Sequence, residues 1–372
     1  MGDVVYLALM FACAAVGGFI GYKLKIPVGG MLGAMVAVII FNIITEPELA
    51  LPVEFRVGLQ LAFGPLIGGR LTKADMIGLK KLAFPVFVLL VCMLSLNILF
   101  GAIMYFTSDL DIPTTLFATA PGGMMDMAIV SADLGANYVY VALLQMARIL
   151  FIMIFMIPFY RKVILKFAKS TAQNDAEPAL EPRPNDTNQL NSIKPEGLPP
   201  EPKKLSRQIQ YFFMTALCGA IPGLIFWQLG IPAGAIVGAM IGAGTFNVLT
   251  GKGYFPPGLR LPLQMLAGSF IGLRMDRASL LAMGEIIVPI LIIFAAVVFM
   301  TVITAFVVHK LTGLDVVTSL MASTPGGLSE MTMLADELKL DAPKVVVMQT
   351  FRLMSVIILF PSILTFVLWL LG

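Results

Sequence analysis

Charge is the first thing this sequence lacks. Only 13% of its 372 residues are Asp, Glu, Lys or Arg, about half the share of a soluble domain, while 58% are hydrophobic. Water is therefore not its main solvent. Histidine is nearly absent too: His309 stands alone, which excludes the imidazole-rich copper and iron sites of membrane oxygenases. The three cysteines, Cys13, Cys92 and Cys218, lie in apolar stretches without metal-ligand spacing. They read as small buried hydrophobes rather than a disulfide framework. No metal and no cofactor is expected, and no nucleophile, base and orienting group assemble at a recognisable spacing, so an enzyme is not expected either. The start, Met1-Gly2-Asp3, has no basic n-region or cleavage site, so the first apolar stretch is expected to be a permanent span. Tyr6 stands where a myristoylation signal needs Ser or Thr.

What the sequence has is length without charge. Apolar runs at 4–22, 82–106 and 286–308 are each long enough to cross a hydrocarbon core of ~30 Å as a helix. They do not alternate as barrel strands do. The expected fold is an all-α integral membrane protein, since only helices and closed barrels satisfy their backbone groups in lipid.

The chain also repeats itself at an offset of 204 or 205, at chemically unusual positions. Pro27, Gly29, Gly33, Ala34, Met35, Phe41, Asn42 and Thr45 return as Pro232, Gly234, Gly238, Ala239, Met240, Phe246, Asn247 and Thr250. Arg56, Gln60, Gly64, Gly68 and Arg70 return as Arg260, Gln264, Gly268, Gly272 and Arg274. Pro121-Gly122-Gly123 and Asp126 return as Pro325-Gly326-Gly327 and Glu330; Gln145 and Arg148 return as Gln349 and Arg352. Residues 1–165 and 208–372 thus read as two membrane repeats. Residues 166–207, rich in Pro, Asn, Lys and Glu, read as a flexible cytoplasmic linker.

Each copy runs in one order: two apolar helices, a shorter Gly-containing segment (57–72; 261–274), a long apolar helix, the Pro-Gly-Gly segment and a last helix. In the first copy, basic residues collect at Lys23 and Lys25, at Arg70, Lys73, Lys80 and Lys81, and at Arg161, Lys162, Lys166 and Lys169. By the positive-inside rule these share one face only if the Pro-Gly-Gly segment makes no net crossing. That implies about 10 crossings, two broken or re-entrant helices, and repeats of inverted topology in a multi-pass protein of the bacterial inner membrane. The second copy agrees in losing the counterparts of Lys23 and Lys25 and gaining Lys252 and Lys310, while Arg274 and Arg277 dissent. Six parallel crossings per copy is the competing arrangement.

The Pro-Gly-Gly segments are the strongest local signal. Pro removes a donor and Gly-Gly relaxes the backbone within an apolar stretch. Matched breaks in two halves point to a transporter's binding site, the alternative being a packed kink. Pro121, Gly122, Gly123, Pro325, Gly326 and Gly327 are therefore candidate substrate residues. Asp126 and Glu330, one turn into the next half-helix, are either a proton or cation site or charges that complement a helix N-terminus. Arg148 and Arg352, set within apolar final helices, either meet an anionic substrate or pair permanently with those carboxylates. Gln145 and Gln349 share their helix faces. Arg56 and Arg260 are expected to anchor at headgroups, and Asp133 to be solvated near the segment's exit. Gly29/Gly33 and Gly234/Gly238 are small-residue packing faces.

The duplicated Ile-Pro-x-Gly-x-x-x-Gly-Ala-Met, Ala-[Thr/Ser]-x-Pro-Gly-Gly-x-x-[Asp/Glu]-Met and Gln-x-x-Arg elements resemble the AbrB-type duplicated membrane protein family of bacteria, in both halves. The resemblance implies a place among cation/proton antiporters and anion transporters, with two broken helices crossing near the midplane. It also brings the labels "ammonia monooxygenase", which a single histidine contradicts, and "regulator of gene expression". The resulting expectation is a secondary transporter of a small organic anion coupled to protons or sodium. Its expected partners are the solute and the bilayer, with self-association left open, and no nucleic acid. A membrane sensor that regulates gene expression and a channel are the alternatives.

Overall fold

A computed structural model describes residues 3–24, 29–45, 51–160, 205–273, 286–326, 331 and 342–371. Among them the fold is helical throughout. In the first half, α1 (Asp3–Lys23), α2 (Gly29–Thr45), α3 (Val53–Gly68) and α4 (Lys73–Thr107) lead to two short helices, α5 (Ile112–Thr119) and α6 (Met124–Ser131), and then α7 (Tyr138–Phe151). The second half holds α8 (Leu205–Gln228), α9 (Gly234–Thr250), α10 (Arg260–Gly272), α11 (Ile287–Thr312), α12 (Val316–Ser323) and α13 (Ala342–Leu371). Six of these helices are long and apolar enough to cross a membrane, with α2 and α9 shorter and equally apolar. The outer surface is apolar: Ile44, Phe87, Phe106, Leu249 and Trp369 are largely exposed. A water-soluble protein does not display so continuous an apolar exterior, and the chain is multi-pass membrane in character.

Three boundaries differ from the sequence reading. The third helix of each half starts earlier than 57 and 261: α3 opens at Val53 after Pro52, and α10 at Arg260 after a 3₁₀ turn at Pro257–Leu259. Proline has no N–H to leave unsatisfied at a helix start, so it suits both positions. α8 begins at Leu205, inside the stretch read as linker; the rest of that stretch lies outside the described residues.

Packing interlocks the two halves. α2 lies against α10 and α1, while α9 lies against α3 and α8. Small residues permit the close approach: a side chain at Gly272 would run into the backbone oxygen of Met35, and one at Gly68 into that of Met240. Asn42 donates to the carbonyls of Gly272 and Leu273 at 3.3 and 2.9 Å, and Asn247 to those of Gly69 and Leu71 at 2.8 and 3.0 Å. Each asparagine thereby satisfies end carbonyls of a helix from the other half. Elsewhere α4 packs on α11 and α13, α11 on α7 and α12, and α5 on α4 and α7.

Candidate functional site

α5 and α6 form a hairpin rather than one long helix. α5 starts from Asp111, whose carboxylate caps the Thr114 N–H at 2.7 Å, and ends at Thr119. Ala120 and Gly123 then take extended conformations, and α6 begins at Met124. The chain returns to where it entered: the N–H of Asn137, at the start of α7, donates to Thr114 Oγ1 at 2.8 Å, and the N–H of Ala136 donates to Ser131 O. Gln145 and Arg148 lie two and three turns further along α7, roughly 12–16 Å deeper at 1.5 Å per residue. There they meet the Pro-Gly-Gly tip.

Breaking a helix in an apolar interior strands its last carbonyls, and these residues cover them. Asn97 of α4 donates to Leu116 O at 3.1 Å and to Thr119 Oγ1 at 2.7 Å. Gln145 Nε2 donates to Phe117 O and Ala120 O at 2.8 and 3.1 Å. Arg148 donates through Nη1 to Ala120 O and through Nη2 to Gly122 O, the latter at 2.6 Å. The second half repeats the device. Asp315 caps the start of α12, Gln349 Nε2 donates to Met321 O and Thr324 O at 2.7 and 3.0 Å, and Arg352 Nη1 donates to Ala322 O and Thr324 O at 3.3 and 2.7 Å. A guanidinium at a helix C-terminus also meets the negative end of the dipole.

This corrects the ion-pair alternative in its described half. Arg148 takes backbone carbonyls, and no ion pair joins it to Asp126 among the described residues. Asp126 sits in the first turn of α6, 7% exposed, beside the bare Cα of Gly123. Gly327 and Glu330, like Lys25, Arg274 and Arg277, lie outside the described residues; Pro325 and Gly326 follow α12 as Pro121 and Gly122 follow α5.

Arg56 is not a headgroup anchor and Asp133 is not merely solvated. Arg56 Nε lies 2.9 Å from Asp133 Oδ1, its Nη1 donates to Ala132 O at 2.7 Å, and Gln60 donates to Asp133 Oδ2 at 2.6 Å. From this cluster Arg56 and Ala132 line a cavity of ≈ 220 Å³ with Tyr138 and Phe270, whose rings stack at 5.0 Å. The cluster fastens the foot of the hairpin to α3.

The two breaks are linked. Helical structure continues past α7 through a π-helical turn, Ile152–Met156, just ahead of Pro158, and reaches Tyr160. The Tyr160 hydroxyl lies 3.0 Å from Thr324 Oγ1, next to Pro325. In return α13 approaches the first break, with Phe360 edge-on to Phe117 at 5.1 Å. Sequence reasoning passed over Asn97, Thr119 and Tyr160; a lone asparagine in an apolar run was the available signal for the first. No grouping of His, Cys, Asp and Glu among the described residues is arranged to hold a metal.

Comparison with known proteins agrees over nearly the whole chain. Residues 1–164 and 170–368 match the family model AbrB, described as transition state regulatory protein AbrB. A Bacillus subtilis (strain 168) protein named "Uncharacterized protein YhjN" is 28% identical over 366 residues, covering 94% of this chain and 90% of its own. The Escherichia coli (strain K12) "Putative regulator AbrB" is 26% identical over 357 residues, covering 94% and 92%. No solved structure matches.

Proposed function

The chain belongs to the AbrB family, and from that premise and the two capped helix breaks we propose a secondary transporter of a small organic anion, coupled to protons or sodium. It would reside in the bacterial inner membrane as two inverted repeats. α1, α2, α3, α4 and α7 with their counterparts α8, α9, α10, α11 and α13 make ten crossings, and the two Pro-Gly-Gly segments make none. The matched bonds of Gln145 with Gln349, Arg148 with Arg352, and Asn42 with Asn247 support the repeat.

One observation carries the reading: two guanidinium groups, 3% and 4% exposed, reach the two breaks from opposite halves and bond only to neutral carbonyls among the described residues. Buried cations without a counter-charge mark an anion path. Alternating access follows if the bundle holding the breaks (α4, α5, α7, α11, α12, α13) moves against the bundle of α1, α2, α3, α8, α9 and α10. Asp126 and Glu330 are the coupling groups in this scheme.

Proteoliposome uptake over a panel of carboxylates, amino acids and ammonium, with and without proton and sodium gradients, tests this. No uptake of any solute by correctly oriented protein sinks it. Asp126→Asn and Glu330→Gln should abolish gradient-driven accumulation, whereas a channel would tolerate both. A regulatory role takes its support from the printed names of the family model and the Escherichia coli relative. Deleting residues 170–200 should abolish regulation and spare transport if that role is direct.

A further inference from the structure

Among the buried polar atoms that have no hydrogen-bond partner among the described residues, four belong to the Gln and Arg side chains that cap the breaks: Nε of Arg148, Nε of Arg352, Oε1 of Gln145 and Oε1 of Gln349. Their side chains belong to residues that are 0–4% exposed. Native interiors leave few such atoms, and each calls for an explanation. The glutamine carbonyl ends are the free ones by necessity, because each Nε2 is committed to two backbone carbonyls. For Arg148 both Nη atoms are likewise committed, so its uncommitted side is the edge that carries Nε. Among the described residues the carbonyl bonds of Arg352 fall on Nη1, which also leaves the Nε edge.

Each Nη carries two N–H groups, so that planar edge pairs the Nε N–H with the second N–H of the adjacent Nη, the arrangement that grips both oxygens of a carboxylate. The carbonyl bonds pin each guanidinium to its own break, so the two cannot converge on one compact ion without giving those bonds up. The breaks nonetheless adjoin: a Cβ on Gly123 would come within 3.6 Å of Leu353, the neighbour of Arg352, and one on Gly326 within 3.5 Å of Ile152, one turn past Arg148. Two like charges in one dry region are best offset by two negative charges on one ligand. Asp126 does not fill this place, since it pairs with neither arginine among the described residues.

We propose that the region between the breaks binds a short dicarboxylate, one carboxylate on the Nε edge of Arg148 and the other on that of Arg352. The Gln145 and Gln349 carbonyls accept from water or a hydroxyl brought in with it. All four atoms are closed off from solvent here, so the ligand enters when the two bundles part. This rests on the transporter reading for the ligand's route, while binding is measured separately.

The test uses the purified full-length protein in detergent at fixed ionic strength, titrated calorimetrically with succinate, butyrate and sulfate. Butyrate matches succinate in carbon number and lacks one carboxylate. Succinate should bind about tenfold or more tighter than either, the loss expected when a charged fork goes unmatched. Arg148→Lys and Arg352→Lys keep the charge, remove the fork, and should each bring succinate to the butyrate level. Equal affinity for succinate and butyrate, sulfate as the tightest ligand, or no binding of the three overturns the proposal. So does wild-type succinate affinity in lysine variants that stay monodisperse; if those variants do not fold, the wild-type series decides. Succinate binding with no uptake of any solute would sink the transporter reading alone. Butyrate uptake with equal or weaker succinate binding would sink this proposal alone.

Discussion

Arg148 and Gln145 act at the scale of single carbonyls. A helix broken in lipid leaves its last acceptors without donors, and two side chains three residues apart on α7 supply them. Gln145→Leu strands Phe117 O and part of the bonding at Ala120 O, and Gln349→Leu does the same at Met321 and Thr324. Each should destabilise by roughly 1–3 kcal/mol, read as a lowered melting temperature in detergent; wild-type melting in both would show that the caps are dispensable. Arg56 and Asp133 form a second unit, about one-fifth exposed. A double-mutant cycle with Arg56→Gln and Asp133→Asn should give a coupling of roughly 0.5–3 kcal/mol, as for charges in one network. Additive losses would return Arg56 to the headgroup role. The glutamines and arginines were legible because each polar residue recurs in an apolar helix of both copies. Asn97 and Tyr160 were not, because the residues 204 positions on are Thr301 and Leu364, so the duplication offered no second witness.

Elements meet at their small residues. Gly68 of α3 and Gly272 of α10 press against the backbones of α9 and α2, with no room for a Cβ. Gly68→Val and Gly272→Val should each cost roughly 1–3 kcal/mol or more through overpacking and lower the yield of monodisperse protein. Gly58→Ala is the control, since its Cβ would meet nothing within 4 Å and alanine favours the helix by about 1 kcal/mol. Equal yields from all three would contradict the close approach. The Gly-Gly and proline positions were readable as a break, but a break has no direction. The hydrogen bond from Asn137 to Thr114 turns it into a hairpin, and that bond spans 23 residues with no periodicity to announce it.

At the scale of the molecule, neither half encloses its own helices. α2 is covered by α10, α9 covers α3, and α4 is held between α11 and α13. Expressed alone, residues 1–165 should fail to yield a monodisperse species; co-expressed with 208–372 they should co-purify as a complex. A stable, monomeric first half would overturn the interlock. Asn42→Leu with Asn247→Leu removes the matched bonds between halves and should weaken that complex more than either change alone.

By itself the sequence determined the solvent and the helical class and pointed to a duplication, because low charge, run length and a recurring spacing are properties of a chain before it folds. It also marked Pro121, Gly122, Gln145 and Arg148 as unusual, since polar and helix-breaking residues are expensive in an apolar run. What those residues do was decided only by the tertiary structure. Whether a buried guanidinium faces a carboxylate, a headgroup or a carbonyl depends on which acceptor the fold carries to it, and Arg148 and Arg352 received the stranded carbonyls of α5 and α12.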